Sequence, residues 1–265
     1  MIRVLAPHNR EVFANLTRRE IRGRYKGSWL GVVWSLITPI VMMLAYTLVF
    51  TIIFQVGTLG EIPNYSLFLL TGLALWVFFA GALVSAATSL IASGELVKKV
   101  RFPREIVPAA SVFSQGLATA VMLAALIPIN LAIMPGDRKA MLLLPVVLLA
   151  FLMLIMGLAF AVSVLNVYFR DIEHILSALL LPWFFLTPIL YTFTSFPLAT
   201  NEWVVDVLKY ANFVTPFVLA LQDVLYWGLV PSARLLTYIL VVGAGTLVGG
   251  YLIFRRLERN LAVEL

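Results

Sequence analysis

Six stretches of this 265-residue chain contain no Asp, Glu, Lys, Arg or His, and they constrain everything else. They run 27–60, 62–94, 106–136, 140–169, 175–201 and 235–254, from 20 to 34 residues long. A helix that crosses a bilayer needs about 20 apolar residues, and all six runs meet that length. The pattern predicts six spans near 33–55, 66–92, 107–133, 141–166, 175–194 and 235–254. No cleavable signal is expected, because the first apolar run starts behind a long basic segment and is too long for a signal-peptide core.

Composition agrees. Hydrophobic residues make up 62% of the chain, charged residues 12%, and mean hydropathy is +1.00. A soluble domain carries about 25% charge, so a soluble enzyme, a disordered tail and a nucleic-acid module are excluded. The formal charge of +6 matters through its placement. With the N-terminus inside and six crossings, the inner segments hold 15 Lys and Arg residues and the outer segments four. That bias sets orientation and puts both termini in the cytoplasm. Parity then decides residues 213–230, a run nearly long enough to span but broken by Pro216, Gln222 and Asp223. A seventh crossing would strand Arg255, Arg256 and Arg259 outside, so 196–230 is read as outer re-entrant structure, with short helices at Trp203–Leu208 and Phe217–Trp227.

Residues 8–27 form a basic amphipathic helix: Val12, Phe13 and Leu16 share one face, and Arg18, Arg19, Arg22 and Lys26 another. Such a helix lies in the membrane interface, either as a lipid anchor or as a docking surface. No ionisable group falls mid-span and there is no cysteine, so neither a buried acid–base pair nor a Cys-ligated metal is expected. Gly81, Ser85 and Ser89 form a small-residue stripe in span two, and Gly245-x-x-x-Gly249 another in span six. Either fits close packing within the chain or a subunit interface. Pro128, Pro182 and Pro188 interrupt spans three and five. No phosphate-binding Gly-x-x-x-x-Gly-Lys-[Ser/Thr] loop occurs, so ATP-driven work would need a separate subunit. Its expected contact is the loop 93–106, where Lys98, Lys99, Arg101 and Arg104, with Glu95 and Glu105, ring an exposed Val100 and Phe102 before Pro103.

That loop, LVKKVRFPREIVP (96–108), resembles the first cytoplasmic loop of ABC-2 type permeases that export polysaccharides, the O-antigen and teichoic-acid exporters among them. RREIRGRYKGSWLGVVWSLITPIVMMLAYTLVF (18–50), IPNYSLFLLTGLALWVFF (62–79), FRDIEHIL (169–176) and LTPILY (186–191) resemble the same family in order. The resemblance implies an all-α polytopic permease that forms a homodimer in the plasma (inner) membrane and works with a cytoplasmic ABC ATPase that carries the ATP and Mg. It implies a lipid-linked polysaccharide as substrate, membrane lipid as surroundings, no nucleic acid, and neither a catalytic residue nor a metal in this chain. Residues 95–105 would be the gate and coupling segment. The interface helix would hold Arg18, Arg19, Arg22, Arg24 and Lys26, and Leu30 and Gly31 would mark the substrate entrance. Tyr46, Trp76, Phe78, Phe79, Trp183, Phe184 and Tyr191 are candidates for the channel wall; Arg170, Asp171, Glu173 and His174 form the cytoplasmic junction. Rival readings are a small-molecule or lipid exporter of the same family, which neighbouring genes would separate, and an ATP-independent channel or scramblase, which would work alone in liposomes. Because the chain has no cysteine, Arg3→Cys and Val263→Cys report topology directly. Both should resist an impermeant maleimide in intact cells and react once the membrane is opened; a tail labelled from outside overturns the even number of crossings.

Overall fold

Hydrocarbon offers no partner to a backbone N–H or C=O, so a long apolar run satisfies these groups within itself, as helix. The computed structural model describes residues 7–53, 62–100, 102–133, 138–193 and 202–261, and among them every regular element is helical. Four helical stretches are long and apolar enough to cross a membrane: α3 (Tyr65–Ala92), α5 (Ile106–Ile133), the stretch that ends as α6 (Leu144–Tyr168), and α10 (Ala233–Leu257). Two apolar helices are shorter, α2 (Trp34–Thr47) and α7 (Ile172–Leu186). α1 (Pro7–Tyr25) and α4 (Gly94–Lys99) complete one end of the bundle. At the other, α8 (Glu202–Ala211) meets α9 (Thr215–Leu221) and its continuation to Trp227 at a bend of 96°. Taken as one broken span, that pair would be a fifth.

The expected boundaries at 66–92 and 107–133 agree with α3 and α5 to one residue at their starts and coincide at their ends. α10 extends two residues beyond 235–254 at its start and three at its end. α2 runs on through a wider turn at Leu48–Ile53, so helix covers 34–53 of the expected 33–55; Val33 lies in the tight turn before it, and residues 54 and 55 lie outside the described residues. The expected span 175–194 is the exception. α7 stops at Leu186, and Thr187 is extended at φ −96°, ψ 133°. The cause is Pro188, whose ring disfavours helical geometry in the residue before it. Residue 194 and residues 196–201 lie outside the described set.

α3 is the axis. It packs against α5, α6, α2 and α7, and Phe68, Leu69, Leu73, Phe79 and Leu83 are buried along its length. At the basic end a second cluster gathers Leu16 of α1, Leu90 of α3, Val97 of α4, Ile106 of α5, Phe160 of α6 and Phe254 of α10. The apolar face of α1 therefore lies on protein: Phe13 meets Phe113 of α5 edge-on at 5.2 Å.

α6 and α10 make the closest helix–helix approach through glycine. A Cβ on Gly250 would overlap the carbonyl oxygen of Gly157, and one on Gly157 would overlap the Thr246 backbone. A Cβ on Gly243 would fall 2.6 Å from the Ala150 carbonyl oxygen. The stripe read from the sequence, Gly245 and Gly249, is off this seam: nothing lies within 4 Å of a Cβ at either. Seven residues separate Gly243 from Gly250, so they share a face that the four-residue motif misses. Gly250→Val should destabilise the protein by about 1–3 kcal/mol or abolish folding through overpacking, whereas Gly249→Ala should shift stability by less than about 0.5 kcal/mol. Thermal unfolding in detergent checks both.

Candidate entrance and coupling site

A basic helix can turn its arginines outward or into the protein, and α1 does both. Arg18, Arg19, Arg22 and Lys26 line an open groove of about 750 Å³ with Asn15 and Gly23. Arg19 also reaches in, Nη2 donating to Ser93 Oγ at 2.8 Å. Arg24 turns fully to α5: Nη1 donates to Gln115 Oε1, and Nη2 to Ser114 Oγ at 3.3 Å. Gln115 fits because Gly81 of α3 has no side chain; a Cβ there would meet Gln115 Nε2 at 2.8 Å. The stripe at Gly81 thus serves packing within the chain.

After α1 the chain turns through Gly27 and Gly31, both at positive φ (77° and 52°), where a Cβ would be strained. Gly31 N–H donates to Ser28 Oγ at 3.1 Å. Leu30 is half-buried, and its neighbour Trp29 is 97% exposed. Beside this turn opens a cleft of about 300 Å³. Arg24, Ser28, Ser35, Thr38 and Gln115 give it a polar side; Trp34, Ala74, Val77 and Met122 give it an apolar one. A cation next to hydrogen-bond donors and an apolar wall suits an anionic head on a hydrocarbon tail.

The 95–105 segment sits at the same end. Lys99 pairs with Glu95 in the open, at 2.9 Å. Val100 is exposed as expected, but Phe102 is half-buried against the basic-end cluster, a correction: its ring completes a core that Val97 starts. Pro103 is half-buried beside it, and Arg101 lies outside the described residues. Arg104 Nη1 donates to the Glu258 carbonyl oxygen at 2.6 Å, tying the segment to the end of α10. Lys98 and Glu105 face the same cleft as Arg255, Glu258 and Arg259. At the α6–α7 junction, Arg170, Asp171 and His174 are exposed, whereas Glu173 is half-buried. Glu173 N–H donates to Asn166 Oδ1 at 3.1 Å, and Asn166 Nδ2 donates to the Ala87 carbonyl of α3 at 3.0 Å.

The aromatic residues meet, but inside the protein. Tyr46 stacks on Phe184 at 5.5 Å, Phe184 meets Trp76, Trp76 meets Phe79, and Phe79 meets Trp183 edge-on at 5.3 Å. Phe78 packs on Phe151. Trp76, Phe78, Phe79 and Phe184 are buried, so within one chain these rings fill core space. Tyr191 is half-buried against Phe193.

The far end is held by two amides, Asn212, which had no expected role, and Gln222, expected only as a break in the 213–230 run. Thr187–Leu190 is buried yet not helical, which is tolerated at membrane depth only when its backbone finds partners. Asn212 Nδ2 donates to Thr187 Oγ1 and the Leu186 carbonyl, while its Oδ1 accepts from Trp183 Nε1 at 2.8 Å. Gln222 Nε2 donates to the Pro188 carbonyl at 3.2 Å, and Tyr65 OH to the Leu190 carbonyl at 2.8 Å. The signal for Gln115, Asn166, Asn212 and Gln222 was a lone amide inside or beside an apolar run. A search limited to ionisable groups overlooks it.

Apolar helices around one axis, with a basic end built from a surface helix and a short charged loop, define a multi-pass membrane protein of the permease class. Residues 11–226 match the family described as ABC-2 type transporter, and the chain belongs to that family. It is 30% identical over 258 residues to the O-antigen export system permease protein RfbA of Myxococcus xanthus, covering 97% of this chain and 96% of that one. It is 28% identical over 252 residues to a protein of the same name from Klebsiella pneumoniae, covering 93% and 92%. The Arg24 arrangement makes a prediction. Gly81→Ala should displace Gln115 and cost what Gln115→Ala costs, about 1–2 kcal/mol for a hydrogen bond to a charged group. The double variant should cost no more than either alone, as read by thermal unfolding in detergent.

Proposed function

We propose that this chain is the channel-forming subunit of an exporter that moves a lipid-linked polysaccharide, of the O-antigen or teichoic-acid class, across the plasma (inner) membrane. The observation that carries this reading is near full-length similarity to permeases named for O-antigen export, in a chain whose basic end has a cleft suited to an anionic lipid head. The chain itself is a transport subunit. Force comes from a separate cytoplasmic ABC ATPase, which carries the ATP and Mg.

In this reading the bundle crosses six times, with α2 and its continuation as the first span and α7 with the Thr187–Tyr191 stretch as the fifth. α8 and α9 re-enter from the outer face, α1 lies in the cytoplasmic interface, and both termini are cytoplasmic. The charge bias of 15 against four supports that orientation. A second copy completes the channel; the exposed Val41, Leu44, Leu48 and Ile52 of the first span leave an apolar face for it.

The lipid head enters beside Leu30 and Gly31, where Arg24 and Ser28 meet its phosphates and Met122 and Val77 its first methylenes. The outward cations of α1 and the 95–105 segment receive the ATPase, whose closure on ATP moves that segment. The aromatic cluster of α2, α3 and α7 is then the wall that the glycan meets when those helices part. Flat rings with polar edges let a sugar chain slide without gripping it.

Affinity purification of the tagged protein in mild detergent should bring down one ATP hydrolase with the ABC signature. Reversing Lys98, Lys99 and Arg101 together should reduce that recovery several-fold, read by quantitative mass spectrometry. Unchanged recovery rejects the docking assignment, and export by the isolated chain without nucleotide rejects the reading as a whole.

A further inference from the structure

Glu105 is the one charged residue that is buried among the described residues, at 2% exposure. Neither of its carboxylate oxygens has a hydrogen-bond partner. It stands immediately before α5, whose N-terminal dipole favours a negative charge. The first amides of that helix, however, are spent on Pro103 and Arg104 carbonyls. Removing a carboxylate from water without a partner costs several kcal/mol, so the dipole leaves much of the cost uncovered.

The remedy is within the same cleft. Lys98, Arg104, Arg255 and Arg259 line it together with Glu105 and Glu258, in a space of about 660 Å³. Two of those cations are engaged at the end of α10. Arg255 Nη1 bonds Glu258 Oε1 at 2.6 Å, and Arg104 Nη1 donates to the Glu258 carbonyl at 2.6 Å. Four cations thus share two carboxylates, and the buried one of the two has no hydrogen-bond partner.

We propose that Glu105 is a second acceptor for Arg255, and that transfer of Arg255 from Glu258 to Glu105 couples movement of the 95–105 segment to the last helix. The proposal rests on the reading of this chain as an ATPase-driven exporter. Arg255 is the carrier because it sits on α10, so its transfer joins two elements, whereas Lys98 and Arg104 belong to the moving segment itself. A small displacement of the segment along the cleft exchanges a half-buried ion pair for a buried one and relieves the lone carboxylate. Glu105 is then a positioning residue for transport, acting through Arg255.

Two variants and two readouts test this, in the permease purified with its ATPase subunit and reconstituted in liposomes. Glu105→Gln keeps the shape and removes the charge. It should raise the thermal midpoint by about 2–4 °C and raise the ATP consumed per glycan exported several-fold. A purely structural carboxylate predicts the opposite shift in midpoint. Arg255→Gln should impair export by a similar factor, and the double variant by no more than the larger single effect. A lowered midpoint or failure to fold for Glu105→Gln overturns the proposal, since the carboxylate would then be satisfied in the resting state. Unchanged ATP cost, or additive losses in the double variant, overturns it as well. If the unaltered protein recovers no ATPase or exports no glycan, it is the exporter reading that fails; the midpoint of Glu105→Gln still judges the lone carboxylate.

Discussion

The backbone of a chain in lipid has no solvent to fall back on, and the rest of this structure follows from that. Where side chains permit helix, the chain is helical. Where Pro188 ends α7 early, the freed groups of Leu186–Leu190 are met by Asn212, Gln222 and Tyr65, brought from three other elements. Asn212 sits at the α8–α9 bend, so the same amide that closes α7 also fixes the corner. The irregular stretch is buried against α3, where a Cβ on Gly72 would meet Ile189 Cγ2 at 3.0 Å. The break after α7 therefore holds the far end together.

The basic end obeys the converse rule. Charges that face water or lipid heads cost little, so α1 can carry many. Two of its arginines are recruited as struts, to Ser93 and to Gln115 with Ser114. Through them α1 is bonded to the end of α3 and the flank of α5. The 95–105 segment is joined to the same core by Val97 and Phe102 and to α10 by Arg104. α1 and α4 are thereby joined to α3, α5 and α10 at one end of the bundle.

Much of this was legible in the sequence. Charge-free runs located α3, α5 and α10 to within three residues, because hydrocarbon tolerates few charges and the boundaries are where they return. The amphipathic pattern of 8–27 located α1. The family resemblance, carried by the 96–108 loop, agreed with the matched family. The inward turn of Phe102 and the true α6–α10 seam were not legible. Each depends on which neighbour a side chain meets, and a motif such as Gly245-x-x-x-Gly249 records spacing along one helix without its rotation against another.

By itself the sequence determined the class of the molecule: an oily helical bundle, basic at one end, without cysteine or a nucleotide loop of its own. Transfer free energy is a property of composition along the chain, so those features need no knowledge of contacts. Only the tertiary structure decided that the aromatic rings of α2, α3 and α7 pack on one another, that Gln115 holds Arg24, and that Glu105 is buried without a hydrogen-bond partner in a cleft whose Arg104 and Arg255 are bonded to Glu258. These are relations between segments distant along the chain, 91 residues apart for Arg24 and Gln115, and burial and partnership exist only after those segments meet.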